Sequence, residues 1–93
     1  MITDYNGKVL VITGGANGIG RALALGCAQR GADVLVADIH GDEAEAVAAE
    51  IRTLGRRAVA VQADVSLSAE CRKNFDRAMA EFGRCDILIN DAG

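Results

Sequence analysis

Three groups of residues in this 93-residue chain have the types and spacing needed to hold a phosphorylated nucleotide. The first is Thr13-Gly14-Gly15-Ala16-Asn17-Gly18-Ile19-Gly20, which directly follows the apolar run Val9-Leu10-Val11-Ile12. Glycines let a backbone come close to a phosphate, and the opening turn of a helix offers unpaired N–H donors at the positive end of its dipole. The second is Asp38, eighteen residues after Gly20. A carboxylate there accepts hydrogen bonds from paired ribose hydroxyls. The third comprises Asp64-Val65 and Asn90-Asp91-Ala92-Gly93. Each group also has a plainer reading. Glycines serve tight packing of a helix on a strand, and an isolated Asp often serves a turn or a helix cap.

The elements that must position these groups alternate regularly. Apolar runs at 8–13, 33–38, 58–63 and 86–90 read as strands, the first two apolar enough for burial on both faces. Between them, 18–30 carries Ile19, Ala22, Leu23, Gly26 and Cys27 on one predicted helical stripe, ending at Gly31. A second helix opens on Asp42-Glu43, places Val47, Ile51 and Leu54 together and closes at Gly55. A third, 68–82, aligns Cys71, Phe75, Ala78, Met79 and Phe82 and ends at Gly83.

A β-α-β-α-β-α-β order with short connections predicts parallel strands joined by right-handed crossovers. The expected architecture is an α/β, Rossmann-type doubly wound parallel sheet with strand order 3-2-1-4. Ligands of such sheets bind at the carboxyl ends of the strands, beside the switch point between strands 1 and 4. All three groups fall at carboxyl ends, so they are expected to converge on one crevice. Asp38 has no Arg or Lys directly beside it and would repel a 2′-phosphate, which predicts NAD in preference to NADP. The glycine spacing is not a P-loop, because no Lys-Ser/Thr pair follows it.

Composition narrows the remaining classes. A net charge of −3 argues against nucleic acid or an anionic membrane as partner. No apolar run approaches the roughly 18–20 residues of a membrane span, and the first residues lack the pattern of a signal peptide. Three widely spaced cysteines without a CxxC pair indicate neither a zinc site nor a disulfide framework, and fit reduced thiols in a cytoplasmic protein.

Together, Asn6-Gly7-Lys8-Val9, Thr13-Gly14-x-x-x-Gly18-x-Gly20, Asp38, Asp64-Val65 and Asn90-Asp91-Ala92-Gly93 resemble the short-chain dehydrogenase/reductase family along essentially the whole chain. The resemblance implies a nicotinamide-dependent oxidoreductase of a small alcohol or ketone. It implies that the glycine loop holds the pyrophosphate, Asp64 the adenine amino group and Val65 the ring through its backbone. Asn90 would meet the adenosine ribose through its carbonyl, and Ala92-Gly93 would let the cofactor lie against strand 4. The expected cofactor-binding set is therefore Gly14, Asn17, Gly18, Ile19, Gly20, Asp38, Asp64, Val65, Asn90, Ala92 and Gly93, with no metal. One position departs from the family: Asp91 stands where it has a second Asn, which replaces an amide donor by a charge.

The family's catalytic Ser and Tyr-x-x-x-Lys lie beyond its Asn-Ala-Gly strand. Tyr5, the single tyrosine here, precedes the first strand and has Lys8 only three residues on, so the two are rejected as a catalytic pair. His40 reads as a solvated loop residue without a partner. Residues 1–93 are thus expected to form the dinucleotide-binding portion of one domain, truncated after strand 4 and inactive alone. An exposed fourth strand predicts self-association or a homo-oligomer. The competing expectation is a non-catalytic nucleotide-binding or interaction module that ends at Gly93.

Overall fold

A computed structural model describes residues 4–16, 18–64 and 68–90. Asn17, Val65, Asp91, Ala92 and Gly93 lie outside the described residues, as does the side chain of Cys71. The elements run β1 (Val9–Thr13), α1 (Gly18–Gln29), β2 (Asp33–Asp38), α2 (Gly41–Thr53), β3 (Ala58–Gln62), α3 (Ser68–Phe82) and β4 (Ile87–Asn90). All strand pairings are parallel, in the order β3-β2-β1-β4. The expected 3-2-1-4 sheet is the one that forms.

Register explains why the two inner strands are apolar without interruption. Leu10 lies beside Val34 and Ile87, and Thr13 lies beside Ala37 and Asn90. Alternate residues then project to opposite faces. Leu10, Ile12, Val34 and Val36, with Ile87 and Ile89, pack under Ala24 and Ala28 of α1 and Ala44, Val47, Ala48 and Ile51 of α2. On the other face Val11, Leu35 and Ala37 meet Ala78 of α3, with Phe82 and Cys85 partly buried beside them. Buried on both sides, β1 and β2 cannot alternate polar with apolar residues.

The stripe expected on α1 is not the one that docks. Gly20, Ala24 and Ala28 are buried, whereas Ala22 and Leu23 are exposed and Ile19 is 71% exposed. Small side chains at i, i+4 and i+8 bring the helix axis close to the sheet, and that proximity decides the docking face over hydrophobicity alone. The expectation for α3 needs the same correction. Ala78 is buried and Phe82 half-buried as expected, but Phe75 and Met79 are exposed, while the polar Asn74 is only 1% exposed. Neither the Nδ2 nor the Oδ1 of Asn74 has a hydrogen-bond partner among the described residues. An unpaired buried amide costs about 1–3 kcal/mol.

The helix ends follow their sequence signals. α1 closes with the Ala32 N–H donating to the Cys27 carbonyl. α2 has Asp42 and Glu43 in its first turn and Arg52 in its last, where both suit the helix dipole. The Arg52 guanidinium also donates to the Ala58 carbonyl, at 3.2 and 2.9 Å, tying the end of α2 to the start of β3. At the amino end of β4, Asp86 accepts the Val9 N–H at 2.9 Å and pairs with Arg84 at 2.7 Å. The hydrogen bond from Arg84, then that from Val9, holds the Asp86 carboxyl below the usual carboxylate range.

Candidate dinucleotide site

At the carboxyl ends of the strands, the turn after β1 is fastened to β2. The Gly14 N–H donates to the Ala37 carbonyl at 2.7 Å, and the Gly15 N–H approaches the same oxygen at 3.5 Å. The two readings of the glycine run turn out to apply to different glycines. At Gly15 a Cβ would lie 2.9 Å from Cγ2 of Ile12 and 3.0 Å from Cγ1 of Val36, so this position serves packing. Gly14 and Gly18 have φ of +74° and +61°, which side-chain-bearing residues rarely adopt. A Cβ on Gly18 would meet nothing within 4 Å, so the backbone there borders open space.

Gly18 also begins α1, whose first turn carries no acidic residue. The first turn of a helix leaves N–H groups without intrahelical partners at its positive dipole end, and no acidic side chain of that turn competes for them. Ile19 follows in that first turn and is exposed rather than part of the core.

Asp38 ends β2 and is buried. Its Oδ2 accepts the Ala16 N–H at 3.2 Å, and its Oδ1 accepts the His40 N–H at 2.9 Å. One carboxylate thus braces the glycine loop against the turn that enters α2. An ionised carboxylate has about four acceptor positions, so two backbone donors leave capacity for ribose hydroxyls. His40 corrects its expected isolation: its Nδ1 lies 3.3 Å from Asp38 Oδ1 and 3.9 Å from Glu43 Oε2. The reason is local, since His40 is the N-cap of α2 and the turn folds it back over β2. A groove of about 470 Å³ lined by Ile39, His40, Gly41, Asp42, Glu43 and Gln62 opens beside it.

On the other side of the loop, the Thr13 hydroxyl donates to Asn90 Oδ1 at 2.8 Å across the β1–β4 pairing. Asn90 is exposed, whereas Thr13 is buried. Two polar residues closing two apolar strands are the sequence signal for this pair, although only register shows that they meet. Asp64 is exposed and follows Ala63, whose N–H donates to the Asp38 carbonyl. The structure therefore brings Gly14, Gly18, Ile19, Gly20, Asp38, Asp64 and Asn90 to the carboxyl side of the sheet. Asn17, Val65, Ala92 and Gly93 belong to the same expected set and lie outside the described residues.

The arrangement fits a dinucleotide in three respects: positive-φ glycines at a helix start, an acid closing β2, and a polar pair at the β1–β4 switch. Tyr5 and Lys8 precede β1 at its far end, Lys8 roughly 16 Å from Thr13 at 3.3 Å per residue. Burial, its largest influence, raises the thiol pKa of Cys27, and burial and then Asp86 raise that of Cys85. Neither is an activated nucleophile. Among the described residues no group of His, Cys, Asp and Glu could hold a metal, and no helix is long and apolar enough to cross a membrane.

Comparison with known proteins agrees with this geometry. The chain is 42% identical over 88 residues to L-rhamnose 1-dehydrogenase (NAD(P)(+)) of Sphingomonas sp. (strain SKA58), a match covering 94% of this chain and 35% of that protein. A crystal structure of hydroxysteroid dehydrogenase from Escherichia coli superposes with a TM-score of 0.92 at 40% identity, covering 98% of this chain and 39% of that one. Carveol dehydrogenase from Mycobacterium avium in complex with NAD gives a TM-score of 0.91 at 32% identity, covering 99% and 38%. The chain thus spans little more than a third of the length of these relatives. Residues 8–93 match the model of the family described as short chain dehydrogenase. By that match and these relatives, the chain belongs to the short-chain dehydrogenase family.

Proposed function

We propose that these residues form the NAD-binding portion of an oxidoreductase acting on a small alcohol or ketone, with NAD preferred over NADP. The observation that carries the reading is Asp38, which braces the glycine loop through Ala16 while closing the strand beside the crevice. In this reading the N–H groups of α1 and the Gly14–Gly18 turn receive the pyrophosphate. Asp38 accepts the ribose hydroxyls and repels a 2′-phosphate by charge. Asp64 and Val65 hold the adenine, and Asn90, Ala92 and Gly93 line the floor along β4. Asn17 and Ile19 belong to the same cofactor-binding set. The dinucleotide, when bound, supplies the hydride acceptor or donor. The relatives' names, one a NAD(P)(+)-dependent dehydrogenase and one a dehydrogenase in complex with NAD, support a nicotinamide dinucleotide as the cofactor.

These 93 residues contain no Tyr-x-x-x-Lys. Alone, they are expected to bind NAD weakly, since a helix terminus contributes only about 0.3–2 kcal/mol, and to turn over no alcohol. In the isolated chain, the β4 edge with Leu88 62% exposed is expected to pair with a second copy. Titration of the full-length protein with NAD and NADP tests the cofactor reading, and reduced-nicotinamide formation with an alcohol panel tests the reaction. A tighter constant for NADP would overturn the role given to Asp38. Sedimentation of the isolated chain as a stable monomer would remove the self-association.

A further inference from the structure

One oxygen of Asp38 carries two contacts from the same residue. The His40 N–H donates to Oδ1 at 2.9 Å, and the ring nitrogen Nδ1 of His40 lies 3.3 Å from that oxygen. The other oxygen, Oδ2, accepts the Ala16 N–H. An ionised carboxylate offers about four acceptor positions. The two backbone donors leave about two, the number that a ribose diol needs, and the ring takes one of those. Because a carboxylate only accepts, the ring contact requires a proton on Nδ1.

The backbone of this turn is held in place, whereas the ring is not. Gln62 at the end of β3 donates from Nε2 to the Ile39 carbonyl at 3.2 Å, and a Cβ on Gly41 would lie 2.9 Å from the Cβ of Gln62. The His40 carbonyl in turn accepts the Ala44 N–H at 3.0 Å. The imidazole is 66% exposed and makes no capping hydrogen bond to α2. It borders the groove of about 470 Å³ that Glu43 also lines, with Glu43 Oε2 at 3.9 Å from Nδ1. Rotation of one side chain therefore clears Oδ1, with a second carboxylate within reach of the ring.

We propose that His40 is a positioning residue of the dinucleotide site: before a dinucleotide binds, its ring fills the acceptor position on Asp38 Oδ1 that one adenosine ribose hydroxyl requires, and it turns toward Glu43 when the ribose arrives. His40 acts through Asp38 and lowers the affinity for a ribose that presents both hydroxyls. The inference rests on the proposed role of Asp38 in dinucleotide binding, and the two can fail separately.

The test is calorimetric titration of the full-length protein with NAD and with the NAD analogue that lacks the 2′-hydroxyl of its adenosine ribose. His40→Ala should lower the dissociation constant for NAD about two- to tenfold, the worth of one hydrogen bond no longer displaced. The same variant should leave the constant for the analogue unchanged, because a single hydroxyl takes the remaining position on Asp38 without moving the ring. In an Asp38→Ala background, adding His40→Ala should have no further effect, since the two residues act as one unit. An unchanged or higher constant for NAD in His40→Ala, an equal gain for the analogue, or a gain that survives Asp38→Ala would overturn the proposal. Should His40→Ala fail to fold, His40→Gly, which suits a helix N-cap, takes its place with the same criteria. An Asp38→Ala protein that binds NAD as tightly as the wild type overturns the role of Asp38 and this inference with it. Weaker binding in Asp38→Ala beside no gain in His40→Ala overturns this one alone.

Discussion

On the α1/α2 face of the sheet, Leu10, Ile12, Val34 and Val36 lie under two helices that contribute Ala24, Ala28, Ala44, Val47, Ala48 and Ile51. On the α3 face, Val11, Leu35 and Ala37 meet one helix whose buried contributions among the described residues are Ala78 and an unpaired Asn74, with Phe75 and Met79 partly exposed. The first face is packed for stability. The second carries a buried amide without a partner among the described residues where an apolar contact would otherwise sit. The candidate site divides in the same way: Asp38 alternates with Ala37 toward α1 and α2, whereas Thr13 and Asn90 belong with α3.

The largest effect should separate the two faces directly. Ile51→Ala removes a fully buried side chain from the α1/α2 face and should destabilise by about 2–5 kcal/mol. Met79→Ala on the α3 side should cost less, about 1 kcal/mol, because its side chain is already 41% exposed. Denaturant unfolding of both variants checks the contrast, and equal losses would erase it. Next, Gly15→Ala forces a methyl group against Ile12 and Val36, costing about 1–3 kcal/mol by overpacking. If that variant is as stable as the parent, Gly15 is not the packing member of the loop.

A smaller change is expected from Asp38→Ala. Loss of the brace on Ala16 and of the ribose acceptor should weaken NAD about tenfold, or 1.4 kcal/mol, and narrow the difference between NAD and NADP. Parallel titrations with the two dinucleotides measure both effects. The smallest concerns pH and the β4 edge. The Asp86 carboxyl is held below its ordinary value by Arg84 and then by the Val9 N–H. Its stabilising contribution is therefore complete above the unfolded carboxyl's pKa, about 3.9, and is lost as pH falls through the lower folded value. Hydrogen exchange should show β4 loosening before β2 in acid, and Asp86→Asn should remove that difference.

Much of this architecture is legible in the order of residues, and the exceptions share a cause. Strand positions, helix ends and the parallel order follow from apolar runs broken by Gly31, Gly55 and Gly83. The docking faces of α1 and α3 do not, because hydrophobicity ranks Ile19 and Leu23 above Gly20, Ala24 and Ala28. Close approach to a sheet favours the smaller set. Similarly, His40 has no partner in the linear pattern, and gains Asp38 and Glu43 only when the β2–α2 turn folds back.

The sequence alone determined that a strand, a glycine loop and a helix would follow one another, and that Asp38, Asp64 and Asn90 would gather at one end of a parallel sheet. Local periodicity and strand polarity are sufficient for that. Only the tertiary structure decided which glycine packs and which borders open space, that Asp38 holds the loop against the β2–α2 turn, and that Thr13 meets Asn90. Those outcomes depend on register and on how closely a helix settles on a sheet, distances of a few ångströms between residues far apart in the chain. Neighbouring residues carry no record of them.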